Sequence, residues 1–207
     1  MQILPASPET WQLAAQLMRA GELVVFPTDT VYGIGCDAHN PAAISAIYAA
    51  KGRSSLKAIP LLLAGDDVIS AVATTVSPEA EALARRYWPG ALTLVVQRQA
   101  ELPEELGGGE TIAVRVPAHD ELRAFIRECG GFIAATSANL SGQPDALDAQ
   151  TAAEYLGEVV ALVVDGGRAA GGIPSTVVDS TVEPPIVLRE GAIPATAIGD
   201  TVNGAHS

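Results

Sequence analysis

The lysines of this chain are confined to one short segment, where they could act on a phosphate-like anion. The 207 residues include only two lysines, Lys51 and Lys57, and both lie with Arg53 in the stretch KGRSSLK. Clustered cations can offset the negative charge that phosphate groups bring to a reaction. The same stretch is also compatible with a solvated charged loop, and the local pattern alone does not separate the two interpretations.

Small polar, glycine or cationic residues directly follow apolar runs at several places in the chain. Ligand sites in open α/β sheets commonly form where such strand ends converge. Each segment alone is a weak signal, because Ser, Thr and Gly are ordinary turn residues. The five segments are 26–33 (FPTDTVYG), 51–53 (KGR), 111–115 (TIAVR), 136–139 (TSAN) and 174–176 (PST).

Helix and strand signals alternate along the chain. Ser7-Pro8-Glu9 and Ser77-Pro78-Glu79 each supply an N-cap hydroxyl, a proline at the first helical position and an acid in the first turn. Helices are predicted over residues 8–19, 41–50, 78–87, 120–129 and 149–156. Strands are predicted over residues 23–26, 61–63, 92–97, 112–116, 132–135, 159–164, 176–178 and 186–188.

This order of elements predicts an α/β fold in which helices cover a mixed sheet. No internal repeat or long linker divides the sequence, so we expect a single domain over residues 1–207 with a core from about 8 to 191. The segment 192–207 is small and polar, and we expect it to form a mobile tail.

The composition excludes several classes of protein. A net charge of −12 argues against a surface that grips long nucleic acid, which needs clustered Lys and Arg. Cys36 and Cys129 show no CxxC spacing and the three histidines are scattered, so neither a disulfide framework nor a zinc site is predicted. The N-terminus does not resemble a signal peptide, and no apolar run reaches the ~18 residues of a membrane span. We therefore expect a cytoplasmic protein without membrane contact.

Several motifs together make the chain similar to the YrdC-like family. Lys51-x-Arg53 followed much later by Ser137-x-Asn139 is the signature of that family, and FPTDTVYGIGCDA, RYWPGALTLV, TIAVRVP, TSANLSG and PSTVVD occur in its order and spacing. The resemblance extends from about Leu23 to Gly191. It implies a twisted, open, mixed α/β sheet with a large concave cavity. It also implies a nucleotidyltransferase that makes L-threonylcarbamoyl-AMP and pyrophosphate from L-threonine, bicarbonate and ATP.

The resemblance assigns roles to residues at matching positions. Lys51 and Arg53 match the catalytic residues, whose charge would act on the transferring nucleotide. The positions matched to ATP contacts are Lys51, Arg53, Lys57, Thr111, Ser137, Asn139, Asp145 and Arg189. The positions matched to threonine contacts are Thr30, Arg115, Ala135 and Ser175. The planar guanidinium of Arg115 suits a carboxylate, which it could clamp with two parallel hydrogen bonds.

The resemblance also implies the surroundings of the reaction. Mg²⁺ is expected to accompany ATP, without an organic cofactor and without a metal site built by the protein. The product would pass to a separate tRNA threonylcarbamoyltransferase complex, in the first step of tRNA N6-threonylcarbamoyladenosine modification. Because the chain carries a net charge of −12, we expect no tight direct binding of tRNA.

The chain departs from the family pattern at three points. Ser54 stands where many members have proline, and Ile59–Leu63 stands where the longer members have a histidine. The chain ends soon after Arg189, so we expect the short form of the family, without the additional C-terminal domain. Any ligand contact made by that histidine must be replaced here in a way that the sequence does not reveal.

Three other functions remain open at this stage. One is the carbamoyl-adenylate-forming domain of hydrogenase-maturation proteins, although the accompanying cysteine-rich regions are missing. Another is a non-catalytic RNA-binding module, which the negative charge disfavours. A serine hydrolase using Ser137 ranks last, because the chain has no Gly-x-Ser-x-Gly turn and no convincing histidine partner.

Replacing either cation of the Lys-x-Arg motif tests the implied chemistry. If Lys51 and Arg53 stabilise charge on the transferring nucleotide, Lys51→Ala or Arg53→Ala should slow adenylate formation roughly 100- to 1000-fold. An exposed cation contributes little to folding, so both variants should melt like the wild type. Adenylate formation and thermal melting are measured side by side. Folded variants with near-normal activity would indicate a solvated loop instead.

Overall fold

One mixed sheet runs through the part of the chain that the structure describes, which is residues 1–52 and 58–204 of a computed structural model. The strands are β1 Gln2–Pro5, β2 Val24–Phe26, β3 Gly33–Cys36, β4 Leu61–Leu63, β5 Ala73–Thr75, β6 Leu92–Arg98, β7 Thr111–Arg115, β8 Phe132–Ser137, β9 Leu162–Asp165, β10 Thr176–Asp179 and β11 Ile186–Arg189.

The sheet contains both parallel and antiparallel pairs. In the order β1-β9-β2-β3-β8-β4-β7-β6-β10-β11, neighbouring strands are hydrogen-bonded, and β5 pairs with β6. The pairs β1–β9, β2–β9, β4–β7 and β6–β10 are parallel, and the others are antiparallel. The predicted α/β class with a mixed sheet is confirmed.

The helices begin at the caps that the sequence offers. Ser7 accepts a hydrogen bond from the backbone N–H of Thr10 (3.2 Å), and Ser77 accepts one from Ala80 (3.1 Å), as expected of N-cap serines. The helices are α1 Pro8–Arg19, α2 Pro41–Lys51, α3 Pro78–Tyr87, α4 Asp120–Glu128, α5 Ala149–Leu156 and α6 Ala195–Gly204, with short 3₁₀ helices at Asp66–Ala71 and Glu104–Leu106. Among the described residues, no helix has the length and apolar character that a bilayer crossing requires.

The helices divide between the two faces of the sheet. On one face, α1 and α4 pack on β2, β4, β8 and β9. One apolar cluster there includes Met18, Phe26, Phe125 and Ile133. On the other face, α2, α3, α5 and α6 enclose the larger cluster, which includes Ile34. The face that α1 and α4 cover continues over β7, β6 and β10. There most side chains are only partly buried, apart from the buried Thr93 and Arg115, so this half of the face is left open to a ligand.

Strand β3 was not predicted, because two glycines interrupt its apolar pattern and glycine is depleted in strands. The structure shows what the glycines are for. A Cβ atom on Gly35 would lie 2.9 Å from the carbonyl oxygen of Ala134 and 2.9 Å from the ring of Phe26. Phe26 therefore lies flat across β3, and only glycine leaves room for its ring. Strands β1 and β5 at the periphery were also absent from the prediction.

The expectation of a mobile tail after Gly191 is wrong for the residues that the structure describes. Helix α6 occupies Ala195–Gly204 and packs on α3, with Ile198 and Val202 buried. The hydroxyl of Tyr87 donates to the carbonyl oxygen of Ala197 (3.0 Å). The sequence pattern did not predict this helix, because most of its residues are small and only two buried apolar side chains, one turn apart, face the core.

Removing the buried contact of α6 tests this correction. Ile198 is 2% exposed, and Ile198→Ala should lower the free energy of unfolding by about 2 kcal/mol or more, as for other buried isoleucines. Ile186 is 53% exposed and serves as the matched control, so Ile186→Ala should change stability by less than about 0.5 kcal/mol. Both values come from denaturant titrations. Equal, small effects would mean that residues 195–204 do not dock on the core.

Candidate active site

An open cavity of about 210 Å³ lies over β7, β6 and β10, on the half of the sheet that α1 and α4 leave uncovered. Polar side chains from several strand ends surround an apolar floor, as expected of a ligand site in an α/β sheet. The lining residues are Thr28, Thr30, Val31, Tyr32, Gly33, Pro60, Leu62, Thr93, Ala113, Arg115, Ala135, Thr136, Ser137, Asp145, Pro174, Ser175, Val177 and Arg189.

The guanidinium of Arg115, at the end of β7, is held by three neighbours. Its Nη2 donates to Oδ1 of Asp29 (2.6 Å), its Nη1 to the hydroxyl of Thr30 (2.9 Å) and its Nε to the carbonyl oxygen of Gly90 (2.9 Å). Thr28 supports this arrangement, because its hydroxyl lies 3.0 Å from that of Thr30 and accepts the Thr30 backbone N–H (3.0 Å). Arg115 is only 7% exposed, so its orientation is set by these contacts before any ligand arrives.

The charge of Arg115 is maintained against burial. Removal from water lowers the pKa of Arg115, the nearby carboxylate of Asp29 raises it, and the positive charge of Arg189 lowers it again. Two guanidinium groups therefore influence each other across one cavity. An anion bound between them would relieve that repulsion, which favours negatively charged ligands.

Ser175 and Arg189 meet on the opposite wall. The hydroxyl of Ser175 lies 2.7 Å from that of Thr93, and Nη2 of Arg189 donates to the carbonyl oxygen of Ser175 (2.8 Å). Ser175 and Thr93 are 6% and 5% exposed, whereas Arg189 is exposed at the cavity mouth. This wall therefore offers hydroxyl groups inside and a cation outside.

The two halves of the Lys-x-Arg and Ser-x-Asn signature meet in the structure. Nζ of Lys51 donates to the carbonyl oxygens of Ser137 and Asn139, and to Oδ1 of Asn139 (2.9 Å). The Ser137 hydroxyl also donates to Oδ1 of Asn139 (2.7 Å). Gly52 ends α2 in the left-handed region (φ 56°), which glycine adopts without steric cost. The contact between Lys51 and the Ser137–Asn139 turn is a finding of the structure that the sequence did not predict.

Burial changes what Lys51 can do. The expectation of an exposed cation is wrong, since Lys51 is 4% exposed. Its contacts to Ser137 and Asn139 match the three N–H donors of a lysine ammonium. In this arrangement Lys51 holds the turn that presents Ser137 to the cavity.

The structure brings most of the remaining predicted residues together. Asn139 is buried behind Ser137, and the hydroxyl of Thr111 donates to the carbonyl oxygen of Gly108 (3.1 Å) outside the cavity lining. Arg53 and Lys57 lie outside the described residues. The predicted residues that line the cavity are Thr30, Arg115, Ala135, Ser137, Asp145, Ser175 and Arg189.

Among the lining or supporting residues that were not assigned a role from the sequence, three make notable contacts: Asp29, Tyr32 and Thr93. Asp29 and Tyr32 stand within the FPTDTVYG motif, so their position was visible but their contacts were not. The hydroxyl of Tyr32 donates to the carbonyl oxygen of Gly167 (2.6 Å) and accepts the N–H of Gly166 (3.1 Å), and burial raises the pKa of Tyr32 to about 12. Thr93 lies inside an apolar strand, where no local signal marks it.

These features define an α/β protein whose strand ends form a cavity lined by hydroxyl groups, two guanidinium groups and a carboxylate. A family model named Sua5_yciO_yrdC, with the description "Telomere recombination", matches residues 16–191. The chain belongs to this Sua5/YciO/YrdC family, which confirms the resemblance inferred from the motifs.

Two curated relatives, both named threonylcarbamoyl-AMP synthase, are similar over most of this chain. The protein of Pyrococcus abyssi (strain GE5 / Orsay) is 40% identical over 193 residues, which cover 92% of this chain and 57% of the relative. The protein of Bacillus subtilis (strain 168) is 40% identical over 195 residues, which cover 93% of this chain and 56% of the relative. The chain thus spans little more than half the length of these two relatives.

A solved structure supports the fold. The crystal structure of P. abyssi Sua5 complexed with L-threonine matches with a TM-score of 0.91 at 38% identity, and the match covers 96% of this chain and 59% of that one. The fold expected of the YrdC-like family is therefore confirmed.

The burial of Lys51 generates a prediction that differs from the one made for an exposed cation. Lys51→Ala should lower the free energy of unfolding by roughly 2–4 kcal/mol, because buried carbonyl groups of the Ser137–Asn139 turn lose their donor. Arg85, whose side chain is 69% exposed, provides the control, and Arg85→Ala should cost no more than about 0.5 kcal/mol. Denaturant titration measures both. A Lys51→Ala protein as stable as the wild type would instead support the earlier expectation that Lys51 contributes little to folding.

Proposed function

We propose that this chain makes L-threonylcarbamoyl-AMP and pyrophosphate from L-threonine, bicarbonate and ATP. The observation that carries the proposal is the convergence of Thr30, Arg115, Ser175 and Ser137 on one cavity that also has a cation, Arg189, at its mouth. The names of the curated relatives and the threonine in the P. abyssi Sua5 structure support the same reaction.

Arg115 is the proposed partner of the threonine carboxylate. Its contacts to Asp29, Thr30 and Gly90 engage three of the five N–H donors of a guanidinium, so two remain for a ligand. The hydroxyls of Thr30 and Ser175 can exchange hydrogen bonds with the β-hydroxyl of the amino acid. Ala135 leaves space beside them for the methyl group.

The nucleotide is proposed to lie on the side of Ser137 and Arg189. The threonine nitrogen condenses with bicarbonate, releasing water, and a carbamate oxygen of the product attacks the α-phosphorus. The bond from that phosphorus to the bridging oxygen breaks, and its electron pair leaves with pyrophosphate. Both reactants are anions, so Arg189, together with Arg53 and Lys57 of the KGRSSLK segment, would offset their repulsion. Lys51 would act through the turn that presents Ser137, with Asn139 beside it, and Thr111 would serve the outer end of the nucleotide site.

Mg²⁺ is proposed to enter with ATP. Magnesium in nucleotide sites usually keeps several waters and takes one or two carboxylates plus substrate phosphates. Asp145 fits this role, because its carboxylate lines the cavity and makes no hydrogen bond to the described residues. Within residues 1–52 and 58–204 no group of three or more His, Cys, Asp or Glu side chains could hold a metal ion. The ion would therefore be held largely by the phosphates.

The adenylate would then pass to a separate tRNA threonylcarbamoyltransferase complex in the cytoplasm. The net charge of −12 supports this division of labour, because a small-molecule step does not require a surface that holds tRNA.

Substrate dependence tests the reaction directly. Purified protein is incubated with MgATP, bicarbonate and either L-threonine or L-valine, and pyrophosphate and the adenylate are quantified. Threonine should support a rate about 100-fold or more above that with valine, because hydroxyl groups of the site are left unpaired by the analogue. Omitting bicarbonate is the control and should abolish the reaction.

Two outcomes would contradict the proposal. Equal rates with threonine and valine would remove the hydroxyls of Thr30 and Ser175 from recognition of the threonine β-hydroxyl. An adenylate formed from carbamoyl phosphate and ATP without threonine would instead indicate the hydrogenase-maturation type of chemistry.

A further inference from the structure

Thr93 carries a buried hydroxyl within the apolar first part of its strand. It lies on β6, whose sequence is LTLVVQR, between the fully buried Leu92 and Leu94. Valine has nearly the same shape and also favours strands. Burying a hydroxyl costs free energy unless it is hydrogen-bonded. The presence of threonine here therefore points to a specific task for its hydroxyl group.

The pairing of β6 with β10 directs Thr93 into the cavity. The two strands are parallel, with Thr93 opposite Val177, and both side chains line the cavity floor. Ser175 immediately precedes β10, and its hydroxyl lies 2.7 Å from that of Thr93. Thr93 therefore lies next to Ser175, to which a role in threonine binding is assigned.

The geometry of the two hydroxyls leaves one proton for a ligand. Each hydroxyl has one donor and two acceptor positions. One of the two protons is used in the bond between Thr93 and Ser175, whichever residue donates it. Arg189 adds a longer contact from its Nη2 to the Ser175 oxygen (3.4 Å) and a shorter one to the Ser175 carbonyl oxygen (2.8 Å). The remaining hydroxyl proton is available to an acceptor in the cavity.

We propose that Thr93 is a positioning and specificity-determining residue that holds the Ser175 hydroxyl toward a β-hydroxy amino acid. This inference rests on the proposed function. Without Thr93, the Ser175 hydroxyl would lose the bond that selects its rotamer. Recognition of the amino acid would then weaken. The nucleotide contact of Ser137 on β8 would be unaffected, and Arg189 would keep its bond to the Ser175 carbonyl oxygen, which does not depend on the hydroxyl.

Thr93→Val and Thr93→Ser separate the hydroxyl from the shape of the side chain. Thr93→Val should raise the KM for L-threonine about 3- to 10-fold, the effect of losing one hydrogen bond, and leave the KM for ATP unchanged. It should also reduce the preference for threonine over valine. Thr93→Ser retains the hydroxyl, so its KM for L-threonine and its preference for threonine over valine should be close to those of the wild type. A space-filling role would predict the reverse, with Val tolerated and Ser harmful.

Thr10→Val is the matched control for the loss of a buried hydroxyl. Thr10 lies on α1, away from the cavity, and is 6% exposed. Its hydroxyl donates to the carbonyl oxygen of Pro5 (2.8 Å) at the end of β1. This variant should lower the melting temperature without changing either KM. If Thr93→Val behaved in the same way, Thr93 would be a structural residue and the inference would be overturned.

Calorimetric titration of L-threonine alone separates this inference from the proposed function. The wild type should bind threonine, and Thr93→Val should bind it about 3- to 10-fold more weakly. A wild type that binds threonine but forms no adenylate would overturn the proposed reaction, and the inference would still be judged on the two dissociation constants. Equal dissociation constants, or a wild type that does not bind threonine, would overturn the role of Thr93.

Discussion

The buried guanidinium of Arg115 is the constraint on which the cavity depends. Removing an isolated charge from water costs several kcal/mol, so the fold must surround it with partners. Those partners come from two loops, because Asp29 and Thr30 follow β2 whereas Gly90 follows α3. Satisfying one side chain therefore fixes both loops against the end of β7. The cavity wall is a consequence of that requirement.

Lys51 imposes a similar requirement on the Ser137 side of the cavity. Its ammonium joins the end of α2 to the turn after β8, where Ser137 and Asn139 supply the acceptors. Buried polar networks add little net stability compared with apolar packing, but their partners must occupy defined positions. Two buried cations thus set the geometry of two walls. The price in stability is offset by the apolar clusters on both faces of the sheet.

The sequence predicted those parts of the site that have a local signal. Thr30 and Ser175 were assigned through the family motifs that contain them, in segments where polar residues follow apolar runs. Thr93 was not, since its role arises from a partner 82 residues away and from the register of two strands. The burial of Lys51 was missed for the same reason, because its acceptors lie 86 and 88 residues along the chain. Helix α6 escaped prediction because Ile198 and Val202 form too small an apolar stripe to mark it.

The open half of the sheet explains how an acidic protein can hold a cationic cavity. Helices α1 and α4 stop at β4, so Arg115 and Arg189 face a space that a ligand can enter. At a distance, the net charge of −12 repels polyanions, and salt screens that field beyond about 10 Å. Inside the cavity, short-range contacts to the two guanidinium groups would act on a small anion once it has entered. Such an anion would relieve their mutual repulsion, so its binding would also favour the folded state.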